Sequence, residues 1–220
     1  MWKIAISLCI AVLFAVIAAP AQERFVKPVD EAGKDPSFLA FRTKLIAAAE
    51  RKDLKSVISI MDPDISLSFG GHSGVKGFHE LWTNKDEFWS EFLPVIKNGG
   101  KYEPADGESG EMFIAPYSFS NWPEDLDAFD YMLVFGENVN LRETPSLDGK
   151  VITKLSYNVV KITDNKLIKG KEQADWYRIE TLGGKKGWVK AEFIRSPIDY
   201  RAGFEKQRGA WKMTYFIAGD

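Results

Sequence analysis

From Pro36 to Gly100 the apolar positions recur mainly at three- and four-residue steps, and beyond Tyr131 they alternate in short runs. The first spacing is that of helices buried on one side, the second that of half-buried strands. After a lead-in over 26–35, Pro36-Ser37 opens a helix with Phe38, Phe41, Leu45 and Ala48 on one face and Arg42, Lys44 and Glu50 opposite. A second helix starts after Asp53, a natural N-cap, carries Leu54, Val57, Ile58 and Met61, and stops at Asp62-Pro63. Ile65, Leu67 and Phe69 alternate with Ser66 and Ser68, which predicts a strand ending at Gly70-Gly71. A short helix with Val75, Phe78, Leu81 and Trp82 follows. Asn84 and Glu87 then have capping-box spacing for a helix carrying Phe88, Trp89, Phe92 and Ile96, bent by Pro94 and closed by Asn98-Gly99-Gly100. Strands are expected near Tyr102 and over 112–115, then an acidic, aromatic loop over 116–130.

The second half predicts strands at 131–135, 139–142, 150–155, 159–163, 176–181 and 187–194. The turns between them carry Pro145, Asp148-Gly149, Asp164-Asn165 and Gly183-Gly184. Short strands so closely spaced form a small barrel or sandwich. A closing hairpin runs from Tyr200 through Gln207-Arg208-Gly209 to Ala218, with Trp211, Met213, Tyr215 and Ile217 on one face. Leaving four such side chains in water would forgo roughly 6 to 12 kcal/mol. A lone hairpin cannot bury them. The expectation is that 197–220 joins 26–130 in a discontinuous α+β domain, with 131–196 inserted as an all-β barrel. Tandem domains, with the hairpin packed on the barrel, are the alternative.

The N-terminus changes the picture of where the chain works. Lys3 is followed by an apolar run over 4–19, broken by Ser7 alone, then Ala19-Pro20-Ala21 and the polar Gln22-Glu23-Arg24. That order is a cleavable signal peptide over 1–21. The run falls short of the roughly 20 residues that span a bilayer. An exported chain, periplasmic or secreted, without stable membrane insertion, is expected. Cys9, the single cysteine, lies in the leader, so the mature part has no disulfide or thiolate ligand. Loss of Lys3 takes the formal net charge from −2 to −3, which gives no long-range pull toward nucleic acid or anionic lipid.

Within the second half the motifs are Asn138-Val139-Asn140-Leu141-Arg142, Thr144-Pro145-Ser146, Lys150 to Leu155, Trp176-Tyr177-Arg178-Ile179 and Gly187-Trp188-Val189-Lys190 with Phe193-Ile194. On these, 131–196 resembles a bacterial SH3 domain, an SH3-like barrel of cell-envelope proteins. It departs at Ser156-Tyr157-Asn158, where the family usually has a glycine-bearing turn, and over 166–175, a lengthened hairpin or loop. The residues make sense on their own terms: Arg142 can reach loop carbonyls and Pro145 fixes a turn. Trp176, Ile179, Trp188 and Val189 are expected to fill a core too small for aliphatic residues alone. The resemblance implies binding rather than catalysis, with peptidoglycan fragments or an envelope protein as partner. Tyr157, Trp176 and Tyr177 are the candidate ligand-binding residues, set against the commoner fate of such rings, which is burial. The flanking α+β part resembles nuclear transport factor 2-like folds in topology alone.

Other chemistry is thin. His72 and His79, with Glu80 or Asp64, lack any recognised metal-ligand spacing. Asp106, Glu108 and Glu111 do not fit a calcium loop, and Glu124, Asp125, Asp127 and Asp130 read as a charged surface. No Gly-x-Ser-x-Gly elbow occurs, and Gly183-Gly184-Lys185-Lys186 lacks the rest of a phosphate loop. No metal, cofactor or enzyme activity is expected. The rival function is a small-molecule or enzymatic pocket in the α+β part, lined by residues such as Phe69, Trp82, Trp89 and Trp211.

Overall fold

The structure, a computed structural model, describes residues 22–105, 110–167 and 174–219. The leader, Asp106 and Glu108 lie outside the described residues. α1 (Pro36–Glu50) begins where Asp35 accepts from the Ser37 and Phe38 amides at 2.7 and 3.3 Å, with Pro36 pre-set for the first turn. It buries Phe38, Leu45, Ala48 and Ala49, and also Arg42, which its charge had placed on the polar side. Asp30 takes both ends of the Arg42 guanidinium, which also stands 5.7 Å from the Phe113 ring. A paired, stacked guanidinium can be buried where a lone one cannot. α2 (Leu54–Ser59) is capped by Asp53 as expected, but it ends earlier, because Met61, Asp62 and Pro63 belong to β1 (Met61–Ser66). Pro63 is tolerated because β1 is an edge strand. Leu67 is buried beyond its end, whereas Phe69 is 59% exposed, contrary to the alternation.

α3 (Gly74–Leu81), α4 (Lys85–Lys97), β2 (Lys101–Pro104) and β3 (Glu111–Ala115) follow, and the expected loop contains one short helix, α5 (Tyr117–Ser120). The second set of strands is β4 (Met132–Val134), β5 (Val139–Arg142), β6 (Val151–Leu155), β7 (Val159–Leu167), β8 (Ala174–Thr181), β9 (Lys186–Lys190) and β10 (Ile194–Arg195). β11 (Arg201–Gln207) and β12 (Ala210–Ile217) close the chain. Asp164-Asn165, read as a turn, lies inside β7: the register shifts between Ile162 and Asp164, so an extra residue there makes a bulge and the β7–β8 hairpin continues to Leu167 opposite Ala174.

The strands make two sheets. The five-stranded one has the order β1-β12-β11-β3-β2, and the seven-stranded one β10-β4-β7-β8-β9-β5-β6. In the first, β1 runs parallel to β12 and all other pairs are antiparallel. The strict alternation expected on β12 fails at Thr214. Gly203 faces Tyr215 while Phe204 faces Met213, leaving Thr214 as the extra residue of a bulge. Trp211, Met213 and Phe216 therefore enter one core with α1 and α4, and Tyr215 turns to the opposite face with Met112 and Ile114. Gly203 is required there, since a Cβ would run into the Tyr215 ring and the Met112 sulfur.

The larger core is built of rings: Phe38 lies 4.3 Å from Phe113, and Phe92 lies 5.0 Å from Phe88 and 5.4 Å from Phe216. The seven-stranded sheet instead encloses Val134, Val139, Leu141, Leu155, Val160, Ile179 and Val189. That cluster is wholly aliphatic, so the expectation that Trp176 and Trp188 fill it is corrected. A third cluster joins the two regions, with Val26, Tyr117, Leu133 and Val159 buried and Phe135 stacked on Tyr117 at 5.3 Å.

The lead-in is part of this joint. The Val26 amide donates to Tyr157 O and the Val159 amide to Arg24 O, both at 2.9 Å, so 24–26 lies like an added strand beside Asn158. Four residues on, the Gly100 amide donates to Val29 O and the Glu31 amide to Gly100 O, each at 2.9 Å, which ties the same segment to the larger region. No described helix is long and apolar enough to cross a membrane.

Candidate ligand-binding surfaces

The three candidate rings go to three places. Trp176 and Tyr177 are neighbours on β8, and successive strand residues point to opposite faces. Tyr177 packs against the aliphatic core. Trp176, only 6% exposed, forms the floor of a surface hollow of about 290 Å³ on the other face. Asn138, Asn140, Arg142, Leu147, Lys190 and Phe193 stand around it. Arg142 is fixed by its bond to Gly149 O at 2.7 Å, the loop-carbonyl contact its position suggested. Lys190 faces Trp176 across the sheet and pairs with Glu192 at 2.8 Å. Leu147 and Phe193 are 68% and 37% exposed, so apolar surface rims a hollow with hydrogen-bonding walls.

Tyr157 sits elsewhere, at the joint. Its φ is 59°, a left-handed conformation that glycine adopts without strain and that costs a bulky residue about 1 to 2 kcal/mol. Backbone bonds hold it from both sides: its amide donates to Gly136 O at 3.1 Å and its carbonyl accepts from Val26. Burial, and then the charge and hydrogen bond of Glu137, raise its hydroxyl pKa. Its ring stands edge-on to Tyr117 at 6.3 Å. On one side of it lies a hollow of about 310 Å³ with Asp30, Asn98, Tyr117 and Phe135, and on the other one of about 690 Å³ with Phe25, Lys27, Glu137 and Ser156.

The joint also holds a carboxylate socket that nothing local in the sequence announces. Glu23 accepts from Thr181 Oγ1 at 2.9 Å and Asn158 Nδ2 at 3.2 Å and pairs with Lys185 at 3.1 Å. Burial pushes its pKa up, but the bonds from Thr181, Lys185 and Asn158 outweigh this and hold it below the usual value. The Gly183-Gly184 turn makes room, since a Cβ on Gly183 would lie 2.6 Å from the Glu23 carboxylate. Nearby, Asp125 of the acidic loop takes Arg24 in a two-pronged pair, with both contacts at 2.8 Å.

The residues weighed for other chemistry are dispersed. His72 Nδ1 stands 3.1 Å from Ser68 Oγ in the turn after β1, and the His79 ring lies 5.6 Å from Phe78 on α3. Among the described residues no group of three or more His, Cys, Asp or Glu side chains is placed to hold a metal ion. The rings proposed for a small-molecule pocket do not share one: Trp82, Trp89 and Trp211 are core members and Phe69 is outside.

No curated protein and no solved structure matches the chain. A family model does: residues 137–195, which hold β5 to β10, match the bacterial SH3 domain.

Proposed function

We propose that the chain is an exported, non-catalytic binding protein of the cell envelope, in which the SH3-type barrel is set into an α+β host formed by 26–130 and 197–220. The single observation behind the binding role is the match of 137–195 to a domain that is generally a binding module for peptidoglycan or proteins and is common in extracellular and envelope proteins. The insertion is supported by β11 and β12 pairing with β1 and β3 while the strands from Met132 to Arg195 pair among themselves. The working surface in this reading is the Trp176 hollow. Its rigid indole floor, rim of Leu147 and Phe193, and polar side chains suit a peptide-bearing wall fragment, which offers both methyl groups and amides.

Chain recovered from the periplasm or medium is sedimented with purified peptidoglycan, beside Trp176→Ala and Leu147→Glu. Leu147 is 68% exposed, so its replacement leaves the fold intact. Each change is expected to lower the bound fraction several-fold. Equal binding by both variants removes the hollow from the reading.

A further inference from the structure

Resting on the export reading but not on the Trp176 hollow, we propose that Gln22 is a modification site. As the first residue of the exported chain it closes into a pyroglutamate ring that caps the joint between the two sheets. Ala19-Pro20-Ala21 sets small residues at the two positions a signal peptidase reads, and cleavage after Ala21 leaves Gln22 first. An N-terminal glutamine carries its α-amine and its side-chain amide on one residue, at the spacing of a five-membered ring.

The joint begins at the very next residue. Glu23 is held by Thr181, Asn158 and Lys185, Arg24 is held by Asp125, and the Arg24 carbonyl accepts from the Val159 amide. Gln22 is exposed and lies in the wall of a hollow of about 510 Å³ with Arg24, Tyr131, Lys161, Glu180 and Leu182. With its neighbour fixed, residue 22 is kept at this hollow.

A linear terminus is poorly served there. The carboxylates that could pair its α-ammonium are engaged: Glu23 in its socket, Asp125 with Arg24, and Glu180 with Lys186 at 3.0 Å. Lys161 forms no ion pair among the described residues, and its ammonium stands 4.7 Å from the centre of the Tyr131 ring. A free α-amine titrates near about 8, so roughly a tenth of it is neutral at pH 7. An unpaired cation alongside raises that share, and the neutral amine is the form that cyclises.

The amine lone pair adds to Cδ of the residue's own side-chain amide, and the new N–C bond closes the ring. The Cδ–Nε2 bond then breaks, and the departing nitrogen takes one amine proton and leaves as ammonia. Nothing is oxidised or reduced. Attack within one residue has the advantage of a tethered nucleophile. The product is uncharged, and its two ring methylenes can lie against Tyr131 and Leu182, both partly buried in the cluster that joins the sheets. It also lacks the free α-ammonium that an aminopeptidase grips, so Glu23 is kept from trimming and the socket stays filled.

The test expresses the chain with its own leader, recovers it from the periplasm or medium, and reads its intact mass. Residues 22–220 lighter by one ammonia are the expected result. The same residues at full mass, or a chain starting elsewhere after the leader, overturn the ring and leave export standing. A chain that keeps its leader overturns both. Added aminopeptidase should leave the parent's mass unchanged, while it shortens Gln22→Ala past Glu23 and lowers that variant's melting midpoint. Shortening of the parent overturns the cap. Finally, chain freed from a cleavable tag with Gln22 still linear is followed at pH 7. There Lys161→Gln should lose ammonia about two- to three-fold more slowly than the parent. Equal rates overturn the part given to the hollow.

Discussion

The two regions use aromatic residues in opposite ways. The five-stranded region uses its rings to fill its own interior: Phe38, Phe78, Phe88, Phe92, Phe113, Phe204 and Phe216 are all fully buried. The seven-stranded region is filled by valine, leucine and isoleucine, and its Trp176, Phe193, Tyr157 and Phe135 stand at the surface or the joint. Ring content is therefore a poor guide to which rings border a surface hollow. The region richer in buried rings has them engaged with one another, and the smaller region, with an aliphatic core, keeps its rings on the outer face of the sheet and at the joint. A core of this size confers little stability on its own. The joint accordingly matters more to the smaller region than to the larger.

The largest expected effect comes from removing a ring where rings are structural. Phe38 meets Phe41, Tyr102, Phe113, Phe204 and Trp211, and Phe38→Ala should cost about 3 to 5 kcal/mol in chemical denaturation. A loss below about 1 kcal/mol would mean that the aromatic core is redundant.

Next is the clamp on the smaller region. Glu23→Ala should cost roughly 1 to 3 kcal/mol at neutral pH and speed amide exchange at Val160 and Ile179. The Glu23 carboxyl is held below its ordinary 4.5, so its contribution is present above that value and is lost as pH falls through the folded-state value. Parent and variant should converge in acid. Unchanged exchange would show that the smaller sheet stands on its own core.

The smallest effect has the opposite sign. Glu91 on α4 is raised above 4.5 by burial and by Asp199, with Arg195 partly offsetting, and Tyr200 faces the same group. Its stabilising form is the neutral one, present below 4.5 and lost as pH rises through the raised value. Glu91→Gln should thus raise the melting midpoint by about 1 to 2 °C at pH 7 and leave it unchanged near pH 4.

Much of this was legible in local sequence. Pro36-Ser37, Asp53 and Asn84 marked helix starts because capping is decided within three residues, and Val139 to Arg142 marked β5 by alternation. The hairpin's apolar face correctly required a partner beyond itself. What stayed hidden depends on distant partners. Arg42 is buried only because Asp30 is there to pair it. The bulge at Thr214 is set by packing against β11, and no residue type announces it. Glu23 meets Thr181 across 158 positions. Of the candidate site, Trp176 and Tyr157 do border hollows, but Tyr177 faces inward, and Phe25 and Glu137 gave no signal. The missing glycine at Ser156-Tyr157-Asn158 was the one local clue to the joint.

The parallel pairing of β1 with β12 has a consequence for how the chain is made. Strand one is synthesised about 150 positions before the partner that covers it, whereas β4 to β10 are complete once Arg195 has emerged. A growing chain therefore has every strand of the seven-stranded sheet in hand while its larger half still waits for β11 and β12. Such late, far-reaching closure slows folding and leaves an oily surface unprotected until β12 has been made.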